Sequence, residues 1–121
     1  TNTAPELSVR KAVWAAGLRY RVDARPLAGF RRRADLVFVR ERLAVFIDGC
    51  FWHGCRWHAS WPRKNRRWWA EKIRRNQERD KDTAAVLKKA GWSVLRVWEH
   101  EEPSRAAARV IKAVERLRGE S

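Results

Sequence analysis

Between Cys50 and His58 the chain gathers both of its cysteines and two of its three histidines, interleaved with Phe51, Trp52 and Trp57. Thiolate and imidazole are zinc ligands, and the spacing Cys50-x4-Cys55-x2-His58 lets a short loop wrap one tetrahedral zinc if a fourth ligand arrives from elsewhere. His100 is one source for that ligand. It follows the apolar run Val94-Leu-Arg-Val-Trp98, so its imidazole sits at a strand end beside the loop if the strands are neighbours. His53, inside the loop, is the rival. Without a metal, the same residues read as two buried thiols or one disulfide. No apolar leader precedes residue 1, which favours a reducing compartment and weighs against the disulfide.

Oxygen ligands form a second set. Asp35 begins an otherwise apolar strand, Ala34-Asp-Leu-Val-Phe-Val39, where a carboxylate is costly unless it is solvated, paired or bound to a metal. Arg40-Glu-Arg42 reads as a tight turn into Val45-Phe46-Ile47, so the two strands form a hairpin. Antiparallel pairing then brings Asp35, near the start of the first arm, close to Asp48 at the end of the second. Two carboxylates with a nearby histidine are what a Mg²⁺-dependent phosphodiester hydrolase needs: hard ligands for the cation and a base for water. Asp48-Gly49 is equally a plain turn that stops the strand.

Farther on, Trp69, Ile73, Asn76, Asp80, Thr83 and Leu87 recur at spacings of three and four, a helical stripe that is apolar at both ends and polar in its middle. Asn76 and Asp80 thereby face a polar cleft, although Asp80 has the simpler reading of an arginine partner. Glu6 is explained by a helix start, with Thr3 as N-cap, Pro5 in the first turn and Glu6 completing a capping box.

The elements that carry these residues follow from pattern. Leu7, Val13, Trp14 and Leu18 give the first helix an apolar face and Gly17 ends it. Arg19 to Val22 is a short extended segment, and Asp23 to Arg33 a loop whose Arg31-Arg-Arg33 reads as a solvated charge run. A long helix spans Pro62 to Ala90, with Lys64, Arg67, Lys72, Arg74, Arg75, Arg79 and Lys81 opposite its stripe, a surface suited to phosphates. Gly91 closes it, Trp92 to Trp98 forms a strand, and Pro103-Ser104 starts a last helix cored by Ala107, Val110, Ile111, Val114 and Leu117. This order predicts a single α/β domain over residues 1–121, a mixed central sheet flanked by helices.

A net charge of +14 on 121 residues repels itself unless a polyanion shares the surface, and nucleic acid is the expected partner. A basic membrane-surface protein needs lysines opposite large apolar residues on a helix, whereas the basic stretches here are arginine-rich with tryptophan. No stretch reaches membrane-spanning length. Eight tryptophans exceed the needs of one small core, and exposed ones stack on bases or wedge between them.

Taken together, Phe51-Trp52-His53-Gly54-Cys55, Trp69-x2-Lys72-Ile73-x2-Asn76-x2-Arg79-Asp80 and Gly91-Trp92-x-Val94-x2-Val97-Trp98-Glu99-His100 resemble the very-short-patch repair endonucleases. These are mismatch nickases of the restriction-endonuclease-like superfold, and the resemblance runs from Pro5-Glu6 to Glu101. It implies a Mg²⁺-dependent nick on the 5′ side of the thymine in a T:G mismatch, the lesion left when 5-methylcytosine deaminates. It also implies a structural zinc. By that resemblance Asp35 is the metal-binding aspartate, Ile47 ligates Mg²⁺ through its backbone carbonyl, and His53 is the base. Cys50, Cys55, His58 and His100 are then left as the zinc ligands. Glu6 and Asp80 match acidic positions that support the site. Phe51, Trp52 and Trp69 match aromatics that enter the DNA stack, with Lys72 and Asn76 as further DNA contacts.

Two departures stand out. The best-known members carry a histidine at the position of Asp48, thought to help the leaving group; a carboxylate there can ligate a metal but cannot copy an imidazolium. Members also usually have a further N-terminal segment that clamps DNA, whereas this chain begins almost at the first motif. The expectation is a monomeric mismatch nickase acting on double-stranded DNA in the cytoplasm, at the nucleoid. A zinc-stabilised DNA-binding module with lost or altered catalysis is the alternative, but Asp35, His53, Asp80 and Glu6 together are more than binding requires.

Overall fold

The run Leu43–Asp48 is apolar on both of its faces, and such a strand is stable only when helices cover the sheet on each side. The computed structural model describes residues 4–48 and 64–119, with side chains from Leu7 onward, and gives this strand both covers. In chain order the elements are α1 (Ala4–Ala15), β1 (Arg21–Ala24), β2 (Ala34–Phe38), β3 (Leu43–Asp48), α2 (Arg66–Lys89), β4 (Ser93–Trp98) and α3 (Pro103–Gly119). The four strands lie in sequence order; β1, β2 and β3 pair antiparallel, and β4 joins β3 in parallel. A parallel neighbour requires a crossover, which α2 provides.

Side-chain alternation assigns the two faces. Leu36, Phe38, Leu43, Val45 and Val97 meet Val9 and Val13 of α1 and Val110 and Val114 of α3. Val37, Ala44 and Phe46 turn the other way, toward Leu87 of α2. The expected α/β arrangement, with a mixed sheet flanked by helices, is therefore present. Among the described residues no helix is long and apolar enough to cross a membrane.

Three details differ from the sequence-based expectation. Trp14 is 49% exposed, because Val9 and Val13 one turn apart already form the buried stripe and Trp14 lies beside it. Its ring instead stacks under the Arg19 guanidinium at 3.7 Å and meets Tyr20 edge-on. The first strand is Arg21–Ala24, later than the extended segment expected from Arg19, because pairing with β2 (Arg21↔Val37, Ala24↔Ala34) selects those residues. The long helix begins at Arg66 and not at Pro62, since Asn65 adopts a left-handed conformation (φ 61°) that a helix cannot continue through. The Thr3 cap lies outside the described residues.

At the other end of α2, Gly91 takes φ 89°, which lets the chain reverse in a Schellman turn: Trp92 N–H donates to the Leu87 carbonyl at 2.9 Å and Gly91 N–H to that of Lys88 at 3.0 Å. Trp92 packs against the cluster that contains Leu87, and Ser93 N–H then bonds to the Arg42 carbonyl at 2.8 Å, which starts β4 in register. Leu87 is thus the apolar anchor of both helix and turn. Leu87→Ala is expected to cost about 2–5 kcal/mol of unfolding free energy, read by denaturant titration; a loss near zero would mean that α2 is held by other contacts.

Candidate active site

The α2 face of the sheet changes character along its length. Near Leu87 it is apolar, but toward the ends of β3 and β4 the same alternation presents Asp35, Asp48 and Arg96, and one turn before Thr83 the helix presents Asp80. Together they line a cleft of about 350 Å³. Its wall holds the carboxylates of Asp35, Asp48 and Asp80 and the cations Arg32, Arg33, Arg79 and Arg96. The fold therefore brings three of the expected acidic residues to one place.

Asp35 sits where the hairpin comes apart. The β2–β3 ladder runs from Phe38↔Leu43 to Leu36↔Val45 and stops. Beyond it, the Ile47 N–H donates to the Asp35 carboxylate, with 2.7 Å between Ile47 N and Asp35 Oδ2. The backbone groups of alternate strand residues point to opposite neighbours. The Asp48 carbonyl accepts from Glu99 N–H at 2.9 Å, toward β4, so the Ile47 amide and carbonyl are directed toward β2 and Asp35. A carboxylate beside a backbone carbonyl is an oxygen donor set suited to a small hard cation that keeps several waters.

Asp48 is the last residue of β3 and is buried, which corrects the reading of it as a plain turn residue. Arg96 Nη1 lies 3.0 and 3.2 Å from its two carboxylate oxygens. The same guanidinium donates through Nη2 to the Asp80 carbonyl at 3.3 Å, stands 3.7 Å from the Asp80 carboxylate, and covers the Phe46 ring at 4.4 Å. Asp80 thus has an arginine partner, supplied by β4 and not by its own helix. Arg96 is the cleft residue that sequence reasoning passed over. Its one signal was a lone charge in the apolar run from Val94 to Val97.

Arg32 is also more engaged than a solvated charge run implies. It donates to the Arg79 carbonyl at 3.1 Å, to the Thr83 hydroxyl and to Asp82, tying the loop before β2 to α2. Along α2 the expected stripe is present: Ile73, Thr83 and Leu87 are buried, and Trp69, Asn76 and Asp80 half-buried. The basic residues opposite, Lys72 among them, are exposed. Trp68, not singled out from the sequence, is 55% exposed; it meets Trp69 edge-on at 4.7 Å and lies 5.2 Å from the Lys72 ammonium. An exposed ring beside a cation is equipped to stack on a base.

Cys50, Phe51, Trp52, His53, Cys55 and His58 lie outside the described residues, as does the side chain of Glu6, which belongs to α1. His100 is two residues past β4, exposed, and stacked on Trp98 at 6.0 Å. β3 and β4 are neighbours, as the His100 reading required, and Asp48 and Trp98 are register partners. Among the described residues no three His, Cys, Asp or Glu side chains form a metal-binding group.

Glu101 fixes the turn after β4 by accepting from Trp98 N–H at 3.0 Å and from Arg109. Burial raises its pKa, but the bonds from Arg109 and Trp98 outweigh that and hold the carboxyl below its ordinary range. This contribution to stability is present near neutrality and is lost as pH falls through the depressed pKa.

The chain is similar to known DNA endonucleases. A family described as DNA mismatch endonuclease Vsr matches residues 1–59. The type II nicking enzyme V.NaeI of Lentzea aerocolonigenes is 45% identical over 119 residues, which are 97% of this chain and 72% of that protein. V.HpaIIP of Haemophilus parainfluenzae, also named a type II nicking enzyme, is 38% identical over 118 residues, 93% of this chain and 82% of that one. The DNA mismatch endonuclease Vsr of Escherichia coli K12 is 36% identical over 99 residues, 81% of this chain and 62% of its own length. With a cleft of three carboxylates on a mixed sheet and relatives of this kind along nearly its whole length, the chain belongs to the very-short-patch repair family of DNA endonucleases.

Proposed function

We propose that this protein is a Mg²⁺-dependent endonuclease of restriction-endonuclease-like fold that nicks duplex DNA on the 5′ side of the thymine in a T:G mismatch. The observation that carries the reading is the Asp35 carboxylate at the parted end of the hairpin, bonded to the Ile47 amide and lining a cleft with four arginines. Relatives named as nicking enzymes and as a mismatch endonuclease support it.

Asp35 and the Ile47 carbonyl would hold Mg²⁺, which when bound supplies Lewis acidity toward the phosphate. The chain's own residues divide the rest. His53 takes the proton of the attacking water. Asp80, on α2, steadies the cleft through Arg96, and Glu6 supports the site from α1. Asp48 has both carboxylate oxygens near Arg96 and serves that pairing in preference to a metal. Trp69, Lys72 and Asn76 on α2, with Phe51 and Trp52, contact DNA at the mismatch, where the stack is weakest and an inserted ring costs least.

Cys50, Cys55, His58 and His100 hold a structural zinc in this reading. Cys50 and His100 each follow in sequence, by two residues, one of the register partners Asp48 and Trp98, which supports drawing zinc ligands from both segments. The protein works as a monomer in the cytoplasm.

Wild-type protein should nick one strand of a T:G duplex with Mg²⁺, and neither the paired duplex nor the mismatch in EDTA. Its affinity should fall linearly in log–log form as salt rises, because neutralised phosphates release counterions. Cleavage of both strands of paired DNA, or Mg²⁺-independent nicking, would end the reading.

A further inference from the structure

We propose that Arg96 is a catalytic residue of this cleft: its guanidinium contacts the scissile phosphate and stabilises the charge that builds there, while Asp48 and Asp80 act through it as positioning residues. This rests on the nickase reading above. In the step served, the water oxygen bonds to phosphorus as its proton passes to His53. The bond to the leaving sugar oxygen breaks, and that oxygen takes a proton from solvent.

Arg96 is held on three sides. Asp48 receives Nη1 with both oxygens, the Asp80 carbonyl receives Nη2, and the Phe46 ring lies beneath the plane. A flexible side chain fixed in this way is oriented before substrate arrives, which is where electrostatic catalysis gains most of its advantage. The Asp48 and Asp80 carbonyl bonds engage at most three of the five guanidinium N–H donors. The side chain keeps 26% of its surface accessible and lines the same cleft as Asp35 and Ile47. A planar fork is the cation best matched to phosphate oxygens.

A purely structural staple between β4 and α2 is the competing role. An ion pair is a costly staple, since apolar residues of similar volume often hold a buried contact as well or better. The sheet does use that solution about two turns of α2 away, where Phe46, Val94 and Leu87 belong to one apolar cluster. The charged arrangement occurs where the cleft opens.

The test is steady-state nicking of a T:G duplex by R96A, R96K, D48A and the double variant D48A/R96A, with melting temperatures measured in parallel. R96A should lower kcat about 10²- to 10³-fold with little change in KM, the usual loss for one oxyanion donor. Added guanidinium should restore part of that rate without raising the melting temperature. D48A should lower kcat less, and the double variant should be no slower than R96A, because Asp48 acts through the arginine. R96K keeps the charge and the stem but not the fork, so its kcat should fall at an unchanged melting temperature, and it decides the matter if R96A does not fold. A wild-type rate in R96A or R96K, or a double variant that loses the product of the single losses, would overturn the proposal and leave the nickase reading standing. Wild-type protein that nicks no mismatched duplex overturns both.

Discussion

Asp35→Asn is expected to abolish nicking, to fold as the wild type does, and to bind DNA at least as tightly. The asparagine oxygen can still accept the Ile47 N–H that the carboxylate now holds at 2.7 Å, so the parted end of the hairpin keeps its closure. The negative charge needed to hold Mg²⁺ against water is gone, and the remaining neutral oxygens are weak ligands for a strongly hydrated ion. Binding gains because a charge that repels phosphate leaves a cleft whose other walls carry Arg32, Arg33, Arg79 and Arg96. Asp35→Ala loses nicking as well, but it also leaves the Ile47 amide without this acceptor, at about 1–3 kcal/mol if the group stays dry. Its melting temperature should therefore fall while that of Asp35→Asn does not. Single-turnover nicking with Mg²⁺, fluorescence anisotropy in EDTA and thermal melts separate these effects. Substantial nicking by Asp35→Asn would place the catalytic metal on other residues of the cleft.

That Asp35 and Asp48 share one cleft was legible because both clues are local. An apolar strand with a carboxylate near its start, a three-residue turn and a second apolar strand ending in a carboxylate put both acids at one end of the hairpin. The stripe from Trp69 to Leu87 was legible for the same reason, since a helix of twenty-four residues repeats its period often enough to show which side is covered. Trp14 was misplaced because a short helix offers few repeats, and bulk and apolarity suggested burial where Val9 and Val13 already filled the contact. Arg96 could not be assigned from its neighbours. Its partner Asp48 lies forty-eight residues away, and what brings them together is the parallel register of β3 and β4, Phe46 beside Arg96 and Asp48 beside Trp98. Nothing in either strand alone encodes that register. The start of α2 was missed for a subtler reason: Lys64 and Asn65 fit a helical pattern by composition, and only the left-handed backbone at Asn65 reveals the boundary.

His53→Ala is expected to slow nicking by roughly 10²- to 10⁴-fold, the usual worth of a positioned general base, and to keep its zinc. Of the three histidines, the proposed assignment gives His58 and His100 to zinc and leaves His53 as the base. In sequence Cys50 lies two residues past Asp48 and His100 two past its register partner Trp98; in the proposed assignment they join Cys55 and His58 as four ligands, and a tetrahedral structural zinc needs no fifth protein ligand. His53 is then free to accept a proton, and it can do so only while unprotonated. The acid limb of the wild-type pH–rate profile should accordingly disappear in His53→Ala. Cys55→Ser makes the opposite prediction, losing both metal and stability because binding energy at a structural zinc is folding energy. Zinc content, melting temperature and the pH profile of both variants distinguish the roles. His53→Ala that purifies without its zinc equivalent would make this histidine a ligand, and the base would then have to be sought among the remaining groups of the cleft.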